Sequence, residues 1–209
     1  TPIISVTDTA TGGSNIYKLG GERLGSGHGS SHLYYAENSK SGATSITATF
    51  GFTCGIEIIA AEYSGVVPSG ALDQVKSNDS GYTSSPNWTS NSTLLTSQSN
   101  ELLVGVGFQF YGKTPSTVVW TPGAGWTAVA SVNGSSNQLF LEEQIVSQSG
   151  SYAATGSFAP PNAWYLPLVA SFRGGAPDIV PPSVAITAPV SGEIVSSTIM
   201  VTATSTDDI

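Results

Sequence analysis

Hydrophobic and polar residues alternate along most of this chain, with the period of two that is typical of β-strands. The alternating segments are rich in β-branched and aromatic residues and are bounded by Gly, Ser, Asn or Pro. We predict strands at 3–8, 15–24, 32–37, 45–52, 56–63, 72–76, 102–110, 118–120, 126–132, 138–146, 151–158 and 164–172. No helix is expected between them, so the pattern indicates an all-β fold.

The segment 54–64 is the strongest competitor for a helix. Ile56, Ile58 and Ala60 alternate with a second, largely apolar set of residues, and glycines bracket the run. A strand that is apolar on both sides is typical of the middle of a sheet that is covered on both faces. We therefore predict a central strand here.

The spacing of short strands and polar turns predicts a two-sheet antiparallel sandwich of jelly-roll-like topology. A barrel is the alternative, and the uneven loop lengths favour the sandwich. We assign the sandwich to 1–174, a Pro-rich linker to 175–182, and two further strands to 183–209. Two strands cannot bury a core of their own, so this last segment either belongs to a partial second domain or donates its strands to another sheet.

Charged residues make up 10% of the chain, and the net charge is -8. So few basic residues leave no stripe that could bind a phosphate backbone, so nucleic acid is excluded as a partner. No hydrophobic run approaches the roughly 20 residues of a membrane helix, which argues against membrane insertion. The single Cys54 is expected to be a buried apolar residue. The low charge and the high Ser, Thr and Gly content are typical of an extracellular or cell-surface protein.

Several short motifs spread over 3–173 form a recognisable set. They are 34–36, 61–66, 72–73, 100–108, 125–127, 142–143, 150–156 and 169–173. The set resembles an uncharacterised secreted β-sandwich module of large bacterial surface proteins. Such modules are commonly followed by bacterial immunoglobulin-like domains, and 181–192 looks like the first strand and turn of one. The resemblance implies a short two-stranded Ig-like segment at the C-terminus and no catalytic motif.

Two carboxylates are candidates for catalysis, because secreted sandwiches include glycoside hydrolases that use a pair of acids. Strand alternation places Glu62 and Glu143 on inward faces and turns Glu57 and Glu142 the other way. An inward acid needs a partner, and Arg173 on the last strand of the sandwich is the natural counterion of Glu62. A structural Glu62–Arg173 ion pair is the favoured interpretation, with catalysis by Glu62 and Glu143 as the alternative.

No cofactor is required by any motif in the chain. Asn78 and Asp79 offer oxygen ligands for Ca²⁺, as do the terminal Asp207 and Asp208, although Asx turns use the same residues. His28 and His32 are four residues apart, but the glycines around them favour a polar loop over a zinc site.

Aromatic residues divide between core and surface. Trp120, Trp164 and Tyr165 lie in strand patterns and are expected in the core, whereas Tyr82 and Trp88 lie in loops, where exposed rings could stack on sugars. Four Asn-x-Ser/Thr sequons mark candidate glycosylation sites at Asn78, Asn87, Asn91 and Asn133.

The sequence favours a non-catalytic structural or adhesive module of an extracellular surface protein or filament. Its expected partners are neighbouring copies or other modules of the same assembly, contacted through the C-terminal strands. A carbohydrate-binding module of a polysaccharide-degrading enzyme, with glycans as partners, is the second hypothesis. A glycoside hydrolase is the third.

Overall fold

The computed structural model describes residues 3–25, 27, 29–51, 55–110, 118–134, 137–159, 161, 163–175, 183–188 and 202–206. The chain divides into two compact units, Thr1–Gly175 and Ala176–Ile209. No helix in the described ranges is long and apolar enough to cross a membrane. His28, Cys54, Asp207, Asp208 and the linker 176–182 lie outside the described residues.

The strands of the first unit are β1 (Ile3–Asp8), β2 (Lys18–Leu24), β3 (Ser30–Tyr35), β4 (Ile46–Phe50), β5 (Leu72–Ser77), β6 (Tyr82–Thr83), β7 (Asn87–Thr89), β8 (Glu101–Phe110), β9 (Val119–Pro122), β10 (Thr127–Asn133), β11 (Asn137–Val146), β12 (Thr155–Ala159) and β13 (Ala163–Arg173). The second unit contains β14 (Ser183–Ala188) and β15 (Thr202–Thr206), which pair with each other in antiparallel register. The all-β prediction is confirmed.

The strands of the first unit form one large sheet and several smaller ones. The large sheet has the order β10-β11-β8-β13-β5, and β6 pairs with the same strand edge of β13 as β5 does. A three-stranded sheet has the order β7-β12-β9, and β1-β4 and β2-β3 form two-stranded sheets. Every pairing is antiparallel, and the sheets pack face to face, so the predicted antiparallel β-sandwich is also confirmed.

The two sides of the large sheet are both covered. The first core lies between this sheet and β7-β12-β9, and its centre is Phe140, whose ring lies 4.8 Å from Trp88 and 5.0 Å from Trp120. The second core lies on the opposite face, where Leu33 of the β2–β3 hairpin packs against Val106 and Leu168. Burial of apolar surface on both faces is the main contribution to the stability of this unit.

The predicted central strand at 56–63 is wrong. Residues 55–63 form no regular structure, and Ile56 and Ile58 are 42% and 51% exposed. Ile59 and Tyr63 pack on the second core instead. The reason is that both edges of β8 and β13 are already paired with other strands, so this apolar segment covers the sheet rather than joining it.

Glycines in the middle of β8 make room for large side chains of β11. Gly107 pairs with Phe140 in register, and a Cβ at Gly107 would collide with the Phe140 ring. Gly105 likewise lies under the side chain of Glu142, with 2.7 Å between the position of its missing Cβ and Glu142 Cγ. These glycines allow the close approach of bulky groups that a strand residue with a side chain would prevent.

Pro167 interrupts one edge of β13. Its carbonyl accepts a hydrogen bond from the Asn78 N–H at 3.0 Å, so its imino nitrogen faces the same edge and has no N–H to donate. This position lies between β5, which ends at Ser77, and β6, which begins at Tyr82. The chain therefore leaves the sheet as a loop at 78–81 before it pairs with β13 again.

Candidate functional site

Arg173 at the end of β13 binds Asp73 on β5, not Glu62. Arg173 Nη2 lies 2.5 Å from Asp73 Oδ1, and Arg173 Nε donates to the Ser97 hydroxyl at 2.9 Å. Glu62 is exposed in the irregular segment 55–63 and accepts a hydrogen bond from Ser39 at 3.2 Å. The predicted Glu62–Arg173 ion pair is therefore wrong, because Glu62 lies on a segment that never enters the sheet.

A second acid, Glu101, completes a buried cluster with Asp73 and Arg173. Glu101 is 1% exposed and the Asp73 side chain is 1% exposed, and Glu101 pairs with Arg173 in register between β8 and β13. Burial raises the pKa of Glu101 to about 7, and the Asp73 carboxylate beside it adds to the rise against the opposing effect of Ser171 and Arg173. Burial alone would raise the pKa of Asp73, but hydrogen bonds from Ser97 and Glu101 and the charge of Arg173 lower it.

We call Asp73, Glu101 and Arg173 the acid–arginine cluster. Two adjacent carboxyl groups whose pKa values are displaced in opposite directions titrate as a coupled pair, in which Glu101 takes up a proton more readily than Asp73. Such dyads also occur in active sites. Here both carboxyl groups are almost fully buried, and the cluster joins β5, β8 and β13.

Glu142 is the acid that the strand pattern placed on the wrong side. It is 0% exposed, lies in the first core over Gly105, and has no hydrogen-bond partner for either carboxylate oxygen among the described residues. Burial raises its pKa to about 8, although the nearby Thr155 backbone N–H favours the charged form. Burial thus favours the neutral, protonated form of Glu142 in the folded protein.

Glu143, the other predicted catalytic acid, is half-buried on the opposite face of β11. It lies beside the Tyr63 hydroxyl, and the pKa of Tyr63 is raised first by burial and then by this carboxylate. Glu62, the residue before Tyr63, points to Ser39. A catalytic role of Glu62 and Glu143 stays a prediction that these contacts do not favour.

Trp88 and Trp164 exchange the positions expected for them. Trp88 lies on β7, is 4% exposed and packs against Phe140, so its predicted exposure is wrong. Trp164 is half-buried at the start of β13, with its ring 4.6 Å from that of Tyr82, which is 59% exposed. Phe110 lies on the other side of Trp164, with 5.8 Å between ring centroids.

We call Phe110, Trp164 and Tyr82 the aromatic row. Trp164 is paired in register with Phe110 on β8 and with Tyr82 on β6, so all three side chains project from the same face of the large sheet. An open groove of about 450 Å³ lies elsewhere, along β7, β9 and β12, and is lined by Asn87, Trp88, Thr89, Pro122, Gly123, Thr155, Gly156 and Ser157.

The side chains of both predicted calcium residues contact groups within the protein. Asp79 Oδ1 accepts a hydrogen bond from the Gly81 N–H at 2.9 Å, and Asp79 Oδ2 lies 3.5 Å from Arg23 Nη2. Asn78 donates its side-chain amide to the Thr89 carbonyl at 3.0 Å. Within the described ranges no group of three His, Cys, Asp or Glu residues is placed to hold a metal ion. Calcium binding at Asn78 and Asp79 stays a prediction.

His32 is held within the β2–β3 hairpin. Its Nε2 lies 2.8 Å from the Ser30 hydroxyl and its Nδ1 lies 3.4 Å from Glu22 Oε2. Burial lowers the pKa of His32, against the opposing effect of Glu22. Ser30 therefore holds Nε2 in local structure, whereas Nδ1 has no hydrogen-bond partner among the described residues.

The candidate glycosylation sites differ in accessibility. Asn87, Asn91 and Asn133 are exposed, whereas Asn78 is half-buried. A glycan on Asn78 would be attached to the same amide nitrogen that donates to the Thr89 carbonyl. Glycosylation at all four sequons stays a prediction, and the three exposed sites are the ones that the structure leaves accessible.

The sequence reasoning missed the acid–arginine cluster and most of the aromatic row. Asp73, Glu101 and Glu142 lie within strands of a chain that has 14 acidic residues in 209, and acids inside apolar strands are a usable signal of buried polar structure. Phe110 and Trp164 gave no such signal, because alternation does not tell how much of a strand face the next layer covers.

Comparison of the chain with protein-family models, curated proteins and solved structures found no match. The resemblance to a secreted bacterial module with an Ig-like segment therefore stays a prediction, and the function is inferred from geometry.

Proposed function

We propose that this chain is a non-catalytic, load-bearing module of an extracellular surface protein or filament. The observation that carries the proposal is the way in which β13 is held. β13 has 11 residues and pairs with β8 through ten consecutive residue pairs, from Trp164↔Phe110 to Arg173↔Glu101. On its other edge it pairs with β6 and β5 in turn.

Hydrogen bonds continue beyond β13 to the last residue of the first unit. The Arg173 carbonyl accepts from the Val67 N–H at 3.0 Å, and the Gly174 N–H donates to the Asn100 carbonyl at 2.9 Å. The Gly175 N–H then donates to the Gly65 carbonyl at 2.8 Å. These bonds hold the strand on two sides at the point where the chain continues into the second unit.

The direction of a pull decides how such a strand resists it. A force applied at the C-terminal end and directed along β13 loads the hydrogen bonds of both edges together, so they must break in concert. A force across a sheet edge breaks the same kind of bonds one after another. Forced unfolding depends on the height of the unfolding barrier, and a strand loaded in shear has the higher barrier.

Single-molecule force spectroscopy tests this proposal. The full chain is pulled first through its two termini and then through a residue in the turn between β10 and β11, because β10 is an edge strand. We expect a markedly higher unfolding force in the first geometry. Equal forces in the two geometries would reject load bearing.

Two variants locate the resistance. Ser97→Ala removes the acceptor of Arg173 Nε and should lower the unfolding force in the terminal geometry. Lys18→Met removes the ion pair between the exposed Lys18 side chain on β2 and Glu37, and it serves as the matched control, which should leave that force unchanged.

The C-terminal strands suggest how modules would assemble. In the second unit, the described residues of β14 pair with β15, and a two-stranded sheet has outer edges that can accept a further strand. We propose that neighbouring copies or other modules of the same assembly pair with these edges through main-chain hydrogen bonds.

A further inference from the structure

The acid–arginine cluster contains one more buried acid than its arginine can neutralise. The Asp73 carboxylate is paired with Arg173 and accepts a hydrogen bond from the Ser97 N–H at 2.6 Å. Glu101 is 1% exposed, and neither of its oxygens makes a hydrogen bond of good geometry with the described residues. A buried carboxylate without such bonds is costly when it is charged, so burial favours the protonated form of Glu101.

The charge of the cluster depends on this one proton. The titratable groups that face Glu101 are Asp73 from β5 and Arg173 from β13, and Ser171 adds a neutral hydroxyl. With Glu101 protonated, the cluster holds one carboxylate and one guanidinium and is neutral. With Glu101 ionised, two carboxylates face one guanidinium, and the excess negative charge is buried among β5, β8 and β13.

The cluster lies at the last residues of the first unit. The segment 97–101 contains Glu101, and the same segment holds the end of β13 through two side chains. Arg173 Nε donates to the Ser97 hydroxyl at 2.9 Å, and Gln98 Nε2 donates to the Gly174 carbonyl at 3.0 Å. A change in the charge of Glu101 therefore acts on the contacts that hold 173–175, from which the chain continues into the second unit.

We propose that the acid–arginine cluster is a pH-sensitive latch between the segments 97–101 and 173–175. The latch holds while Glu101 is protonated. It loosens when Glu101 loses its proton, because separation of the two segments brings the second carboxylate into water and relieves its repulsion from Asp73. The pH thus sets how firmly the end of β13 is held. This inference does not depend on load bearing, since it concerns local opening in the absence of force.

The direction of the effect follows from the pKa of Glu101. Burial, and then the neighbouring Asp73, raise this pKa from its ordinary value of 4.5 to about 7, whereas contact with water in the opened latch restores the ordinary value. The closed latch is fully favoured below pH 4.5, and its advantage is lost as the pH rises to about 7. The pKa of Asp73 is lowered, so this residue weakens the latch only as the pH falls below its ordinary value of 3.8.

Amide hydrogen exchange of the full chain, followed by NMR, tests the latch. The N–H groups of Gly174 and Gly175 report its opening, because both are hydrogen-bonded at the end of β13. After correction for the intrinsic exchange rate, their protection should fall about tenfold or more between pH 5 and pH 7. The Thr93 N–H, which donates to the Tyr152 carbonyl at 2.9 Å away from the cluster, should change less. Constant protection of the two glycines, or an equal change at all three amides, would overturn the proposal.

Two glutamine variants locate the effect. Glu101→Gln keeps the shape of the side chain and removes its titration, so the protection of Gly174 and Gly175 should no longer depend on pH over this range. Glu142→Gln is the matched control, because Glu142 is also a fully buried acid with a raised pKa but lies in the first core. It should retain the wild-type response. A response that persists in Glu101→Gln, or that disappears in Glu142→Gln, would reject the latch.

A second measurement needs no variant to fold. The side-chain carboxyl carbon of Glu101 is followed by ¹³C NMR while the wild-type chain is titrated. We expect its midpoint near pH 7 and a change in the Arg173 guanidinium signals over the same range. A midpoint near the ordinary value of 4.5, or Arg173 signals that do not respond, would refute the proposal.

Discussion

Arg173 and Asp73 form an ion pair at the C-terminal end of β13, with 2.5 Å between Arg173 Nη2 and Asp73 Oδ1. The Asp73 carboxylate is also bound by the Ser97 N–H at 2.6 Å, and Arg173 donates to the Gly70 carbonyl at 2.6 Å. The pair therefore connects the last residues of β13 to the segments before β5 and β8.

Replacement of Arg173 by an uncharged residue should leave the Asp73 carboxylate as a buried charge without its ion-pair partner. We expect Arg173→Met to lower the free energy of unfolding by about 2–4 kcal/mol, measured by urea denaturation. Asp73→Asn in the same chain removes the charge and should recover part of the loss. If the double variant is no more stable than Arg173→Met, the cost does not arise from the unpaired carboxylate.

The neutral acid in the first core should make stability depend on pH. The pKa of Glu142 is raised from its ordinary value of 4.5 to about 8 in the folded state, so the folded protein holds a proton that the unfolded chain releases. Its stabilising effect is complete below pH 4.5 and is lost as the pH rises to 8, by about 1.4 kcal/mol per pH unit. Thermal unfolding between pH 4 and 9 should show this loss, and Glu142→Gln should reduce it.

Glu37 provides a control, because its contribution to stability changes with pH in the direction opposite to that of Glu142. Its pKa is lowered, first by the hydrogen bond from Lys18 and then by the Ala71 N–H, so its contribution is present above its ordinary pKa and is lost as the pH falls. Glu37→Gln should therefore cost stability at neutral pH, and this cost should fall as the pH falls below 4.5. A Glu142→Gln variant with the unaltered alkaline slope would show that Glu142 is not the buried acid responsible.

The close approach of Phe140 to β8 predicts that Gly107 accepts no side chain. Gly107→Ala should lower the free energy of unfolding by about 1–3 kcal/mol or more, because the added methyl group meets the Phe140 ring. Gly55→Ala is the matched control, since its Cβ would have no heavy atom within 4 Å, and it should be neutral or slightly stabilising. Chemical denaturation of both variants measures the difference, and equal effects would contradict the packing of the first core.

The second unit should be dispensable for the fold of the first. A chain that ends at Gly175 should keep its β-sheet circular dichroism spectrum and a cooperative thermal transition, because Thr1–Gly175 is a compact unit in its own right. It should also lose any head-to-tail association, which sedimentation velocity detects. A shortened chain that still associates would remove β14 and β15 from the proposed assembly contact.

Sequence reasoning predicted the long strands in the middle of the large sheet. It did not predict which side of a strand faces which core when both sides are buried. Alternation predicts β8, β11 and β13 because long apolar strands have few other ways to bury their side chains. The same logic fails for Glu142, because Phe140 and Leu141 show that both faces of β11 are buried, and the parity of the strand does not tell which acid lies in the core.

The errors at Trp88 and at 56–63 have a related cause. Trp88 lies between Pro86 and Asn91 in a segment rich in turn residues, and pairing with β12 places it on a short strand of three residues. The segment 56–63 has a strand-like pattern, but the edges it would need are occupied. Local pattern describes what a segment can form, whereas the partners available in the sheet decide what it does form.

Pro167 affects the position of Tyr82, which follows the loop at 78–81. Because it offers no N–H to the edge where Asn78 donates, a single continuous strand from β5 into β6 would leave one backbone acceptor without a donor. Pro167 thereby ends β5, and the chain continues into the loop at 78–81. This loop brings the ring of Tyr82 next to that of Trp164. The position of the exposed Tyr82 side chain thus follows from the absence of an N–H group in Pro167, which is itself fully buried.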